Sequence, residues 1–158
     1  MSQKLNIERK DESNASIIAV KGVIDEDADF KTAFADLKPK VSIDLENVSF
    51  INSCGVREWV RAVQDFPKQV DVQFLKCAPR IVEQANYVSN FTGRGKIVSF
   101  FAPYYCPKCQ KERTALLQAA DFKALPSKAP TQKCSTCGTT MDFDDIEEEY
   151  FSFLANDR

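Results

Sequence analysis

Hydrophobic and polar positions along the first hundred residues switch between a period of two and a period of about 3.6. Leu5-Asn6-Ile7 opens with a short alternation, and Ser16 to Ile24 is a run rich in β-branched residues, the composition of a strand. The carboxylates of Asp25, Glu26 and Asp27 come next; they suit the free amides and positive dipole end of a helix start. Phe30, Ala33, Phe34 and Leu37 then recur at helical spacing up to Pro39, so a helix is predicted from the acidic stretch to Leu37. Val41 to Leu45 alternates as a strand and resumes at Val48 to Ile51 after the polar break Glu46-Asn47.

Asn52-Ser53-Cys54-Gly55 precedes Val56, Trp59, Val60 and Val63, with Pro67 beyond. This predicts an amphipathic helix capped by Asn52 or Ser53. Val70 to Leu75 reads as a strand, and Pro79 opens a helix through Ile81, Val82 and Ala85, since proline is tolerated in a first turn. Gly93 and Gly95 mark a turn before a last strand, Lys96 to Phe101. The order is ββαβαβαβ, and strands separated by single helices need crossovers, so the later ones are expected to be parallel.

Beyond Ala102 the pattern changes. Cys106-Pro107-Lys108-Cys109 and Cys134-Ser135-Thr136-Cys137 flank a spacer, residues 110–133, without strong periodicity. An acidic run from Asp142 to Glu149 leads into Ile146, Tyr150, Phe151, Phe153 and Leu154, read as one short aromatic helix. The division expected is residues 1–101 and residues 102–158. With no linker between the last strand and Cys106, the two modules are expected to pack together.

Composition narrows the classes. The chain has 158 residues, 44% hydrophobic and 28% charged, the proportions of an ordinary globular protein. No apolar run approaches the ~18 residues of a membrane span, and the first residues lack a secretory pattern, so a cytoplasmic setting is expected, where clustered cysteines bind metal more often than they form disulfides. A net charge of −2 gives no general pull toward phosphates or anionic lipid, and there is no histidine. That removes the commonest general acid-base group and any histidine metal ligand.

Each Cys-x-x-Cys pair places two sulfurs across a tight turn, and two such turns supply the four thiolates of a closed structural Zn²⁺ site: Cys106, Cys109, Cys134 and Cys137. The spacer is longer than the usual template of about 15–20 residues. Iron in a rubredoxin-like site takes the same four ligands. With every coordination position filled, the metal has a structural role and no Lewis-acid role.

Residues 100–158 carry more acids than bases, and four thiolates with one divalent ion add further negative charge. A phosphate-binding surface needs clustered positive charge, so a nucleic-acid partner is disfavoured. Tyr104, Tyr105, Phe151 and Phe153 are read as core and inter-module packing before stacking platforms.

The stretch from Val41 to Val56, with its strand, polar turn Asn52-Ser53-Cys54-Gly55 and helix, resembles the STAS domain signature. Lys21-Gly22-Val23-Ile24-Asp25 is similar to the turn before that family's first helix. The resemblance covers about residues 4–100 in element order, with sharp motif identity over residues 43–56. It implies an α/β fold with a mixed sheet, followed here by a small C-terminal zinc ribbon. The function it implies is docking to protein partners, as in anti-sigma factor antagonists of bacteria, where a kinase partner phosphorylates a serine at this helix start. Regulatory subunits of transporters are another role of the family, and a zinc-ribbon nucleic-acid adaptor is the alternative from outside it.

The sequence departs from the family at the phosphoserine position, which is Cys54, and at the preceding acid, which is Asn52. Ser53 remains, with helix capping its simplest role. Arg57, Glu58 and Arg61 fall on the helix's outer side, a solvated face or a docking surface. A thiol at a helix N-terminus can be reactive, and Cys77 ends the following strand, where parallel neighbouring strands are expected to put both cysteines at the same sheet edge. Cys54 and Cys77 are therefore a candidate thiol pair, although free cysteines more often fill small apolar sites. Without histidine, a phosphate loop or a carboxylate pair, no catalytic residue is assigned. The whole reads as a non-enzymatic regulator that binds a protein partner, either an anti-sigma-factor kinase or a transporter or signalling component.

Overall fold

The computed structural model describes residues 4–122 and 128–156. Its architecture is mixed α/β, with one six-stranded sheet and one three-stranded sheet. In the large sheet, β1 (Asn6–Asp11) pairs antiparallel with β2 (Ala15–Ile24), which lies parallel to β3 (Lys40–Asp44). The chain turns through residues 45–47, and β4 (Val48–Ile51) continues along the second half of β2, with a register shift between Gly22 and Val23. Helix α1 (Ser53–Gln64) crosses to β5 (Asp71–Leu75), parallel to β3, and α2 (Pro79–Tyr87) crosses to β6 (Lys96–Ile97), parallel to β5. The parallel order expected of the later strands is present as far as β6.

Alternation along the strands turns one set of side chains into the core. Ile18, Val20 and Ile24 of β2, Val41 and Ile43 of β3, and Val72 and Phe74 of β5 are buried, while Ile17 is exposed. Trp59 of α1 fills the centre, packed edge-on against Phe30 and Phe34 and tilted against Phe74 and Phe91. Its indole N–H donates to the Phe91 carbonyl at 2.9 Å, which satisfies the polar atom that burying tryptophan brings inside.

Three elements differ from the pattern-based expectation. The helix predicted between Asp25 and Leu37 is a chain of turns. The Asp25 and Asp29 carboxylates accept from the amides of Asp27 and Lys31, so these side chains compete for the amides a helix would use. The apolar face survives, because Phe30 is buried and Phe34 packs against Phe66. The Arg9 guanidinium holds the far end through the carbonyls of Ala33, Ala35 and Asp36.

The strand expected over Lys96 to Phe101 divides at Val98. Its second part, β7 (Ser99–Cys106), runs through residues 101 and 102 into the small sheet. There β7 pairs antiparallel with β8 (Lys111–Gln118) on one side and β9 (Asp142–Phe143) on the other. β8 lies in the spacer that showed no period; residues 123–127 of that spacer lie outside the described residues. Cys77 joins the two sheets, its amide donating to the Ser99 carbonyl and its carbonyl accepting from Phe101.

The single C-terminal helix is two short ones, α3 (Glu147–Tyr150) and α4 (Phe153–Asn156). Asn86 of α2 breaks the run. Its side-chain carbonyl accepts from the Phe153 amide and the Ser152 hydroxyl, and its amide donates to the Tyr150 carbonyl. Phe151 and Phe153 pack on Phe100, and Phe143 stacks on Phe151, while Ile146, expected on the apolar face, is 54% exposed. Among the described residues no helix is long and apolar enough to cross a membrane.

Candidate metal centre and helix-start surface

The hairpin of β7 and β8 turns through Cys106–Cys109, and the second pair sits on a loop closed by the Lys133–Thr140 bridge. These two turns bring the sulfurs of Cys106, Cys109, Cys134 and Cys137 within 4.8 Å of one another. Cys106 and Cys137 are 3.5 Å apart at sulfur, and Cys109 and Cys134 are 3.9 Å apart. A tetrahedral ion with metal–sulfur bonds of ~2.3 Å needs sulfur–sulfur edges of ~3.8 Å. The donor set therefore fits a four-thiolate metal ion, and all four cysteines are buried or half-buried.

Both turns share one backbone device. The residue after the second cysteine is left-handed in each, Gln110 at φ 55° and Gly138 at φ 75°, and its amide bonds back to the carbonyl of the first cysteine at 2.8 Å. Gly138 adopts this conformation at no side-chain cost. Gln110 occupies the equivalent place with a side chain, so only the parallel between the two turns could have revealed it.

Backbone amides and neighbouring sulfurs divide the thiols. The amides of Cys137 and Thr136 favour the Cys134 thiolate and lower its pKa to about 6. The Thr139 hydroxyl and amide lower that of Cys137. Cys109 is pushed up to about 11, chiefly by its bond to the Cys137 sulfur. Four sulfurs this close repel one another as anions, and a bound cation removes that repulsion.

In the large sheet, α1 starts just beyond the carboxyl end of β4. Asn52 is its cap, with an extended backbone and a side-chain oxygen that accepts from the Gly55 amide at 2.8 Å. The Asn52 side-chain amide donates to Glu26, and Glu26's own backbone amide, helped by this bond, holds the Glu26 carboxyl below its usual range. Ser53 is thus released from capping and is exposed, Cys54 is half-buried, and Cys77 is fully buried. Arg57 and Arg61 are exposed, and Arg61 pairs with Glu58 at 3.2 Å. Phe50 on β4, with the Arg80 guanidinium 5.8 Å from its ring centre, is 45% exposed; pattern reading assigned it only to a strand.

No family model matches this sequence, and no curated protein matches it. Among solved structures, the crystal structure of an anti-sigma factor antagonist from Mycobacterium paratuberculosis is similar at 24% identity, covering 46% of this chain and 67% of that chain with a TM-score of 0.38.

Proposed function

We propose that this chain is a non-enzymatic, cytoplasmic regulator of the STAS type that docks a protein partner through the start of α1 and carries a structural zinc ribbon. The observation that carries the reading is the presentation of Ser53 and Arg57 at the carboxyl end of the parallel strands, where open α/β sheets present ligand and partner sites. The Asn52 cap and the Gly55 contact hold that turn in one geometry, so the surface is formed before any partner arrives.

With cysteine at position 54, the regulation differs from a phosphoserine switch at that position. Negative charge at a helix N-terminus is favoured by the dipole, and Ser53 is the hydroxyl left free for it. The zinc ribbon has a structural role, since four thiolates leave no open coordination position.

Affinity capture of the tagged protein from its native cells, read by mass spectrometry, tests the reading. The expected result is a specific protein partner, cross-linked within residues 52–61 and lost with Arg57→Glu or Ser53→Asp. Recovery of only nucleic-acid-associated proteins that disappear after nuclease treatment overturns it in favour of the adaptor alternative.

A further inference from the structure

Arg113 on β8 pairs in register with Tyr104 of β7, and its side chain reaches the second cysteine turn. One terminal nitrogen donates to the Thr136 hydroxyl at 3.1 Å. Thr136 stands between Cys134 and Cys137, so the guanidinium sits at the turn that carries two of the four sulfurs. Its Nε atom is buried and has no hydrogen-bond partner among the described residues. A buried guanidinium N–H without an acceptor is costly, and the turn that Arg113 grips carries two sulfurs able to accept.

Four thiolates around one divalent ion carry a net charge of −2, and metal-bound sulfur remains a hydrogen-bond acceptor. We infer that Arg113 is a positioning residue of the metal centre, donating to a metal-bound sulfur of the second cysteine turn and offsetting its charge. The inference rests on the metal-centre reading. Partners of this kind, outside the ligands, tune the basicity of the ligands they touch. A donated hydrogen bond draws electron density from sulfur, so the thiolates become weaker nucleophiles and the ion is released more slowly. Arginine suits the place because its planar fork can hold Thr136 and a sulfur together, whereas lysine is a point donor.

The test uses the full chain loaded with zinc, with metal content measured first. Iodoacetamide in excess attacks the centre: a sulfur bonds to carbon, iodide leaves, and the metal–sulfur bond breaks. Zinc release is followed with a chromogenic chelator, a readout that modification of Cys54 or Cys77 does not supply. Arg113→Met is expected to release zinc about tenfold faster than the parent protein, with Arg113→Lys and Thr136→Ala in between. The cobalt-loaded Arg113→Met protein should keep the absorption of a tetrahedral four-sulfur site. If Arg113→Met does not fold, Arg113→Lys and Thr136→Ala decide, and release at the parent rate in both overturns the inference. Absence of metal from the parent protein overturns the metal-centre reading, whereas zinc bound and released equally fast from all variants overturns only the role of Arg113.

Discussion

A β-carbon on Gly55 would lie 1.9 Å from the carbonyl oxygen of Ile24. The first turn of α1 therefore rests directly on the end of β2, and the Asn52 amide donates to that same oxygen at 3.2 Å. Glycine is required here by space. Its backbone is ordinary helix, and no alternative rotamer can relieve a clash with main chain.

Gly55→Ala must consequently lift α1 from the sheet. Overpacking of this kind costs about 1–3 kcal/mol, and contact with backbone puts the change at the upper end. A denaturant titration followed through Trp59, the single tryptophan, should show a lower midpoint. Partner binding should fall with it, because the turn bearing Ser53 moves. An unchanged midpoint would mean the helix start is looser than described.

Asn52 tests the cap separately. Replacing a capping side chain with alanine costs about 1 kcal/mol, so Asn52→Ala should lower the same midpoint modestly. Asn52→Asp should retain the cap to Gly55 while losing the bond to Glu26 and placing two carboxylates together. The expected order of stability is parent, then Asp, then Ala; equal stability of all three would contradict the capping geometry.

Asn86 ties α2 to the C-terminal helices through its bonds to Tyr150, Ser152 and Phe153. Asn86→Ala leaves the Tyr150 carbonyl and Phe153 amide short of partners, a loss of about 2 kcal/mol or more. Hydrogen exchange should quicken across residues 147–154 while zinc content stays constant. Exchange unchanged in that segment would show that aromatic packing alone holds it.

Gln110 and Gly138 give opposite expectations at equivalent places. A side chain in the left-handed region costs roughly 1 kcal/mol, so Gln110→Gly should relieve strain, less the entropy glycine brings to the unfolded chain. Gly138→Ala meets open space and bears only the backbone cost. Competition with a zinc chelator should find affinity unchanged or raised in the first variant and lowered in the second. The reverse order would contradict the shared geometry.

Alkaline pH probes the aromatic core around β7. Burial raises the phenol of Tyr150 above its ordinary value, with Glu83 and Asp145 adding to it, and burial pushes Tyr104 up to about 12. Both groups are acids whose folded pKa exceeds the unfolded value of 10.0. Their contribution is complete below pH 10 and lost as pH rises above it, through about 12 for Tyr104. Stability should decline over that range, and phenolate absorbance of these two tyrosines should appear only as the protein unfolds. Titration of all four tyrosines near pH 10 in the folded protein would refute this.

The sequence by itself determined the features whose causes are local. Asn52, Gly55 and the spacing of Trp59 and Val63 specify α1 because caps and helical faces are written within a few residues. The two Cys-x-x-Cys turns specify a four-sulfur donor set for the same reason. Tertiary structure decided what depends on distant partners. Residues 25–37 have a helical hydrophobic period, yet Arg9, more than twenty residues earlier, takes the last carbonyls. The aromatic C-terminus breaks in two because Asn86, more than sixty residues earlier, supplies the hydrogen bonds. β8 forms because β7 offers it an edge, which no periodicity of its own announces. A hydrophobic period states which side of a segment is buried; which groups satisfy its backbone is settled only when the rest of the chain has folded around it.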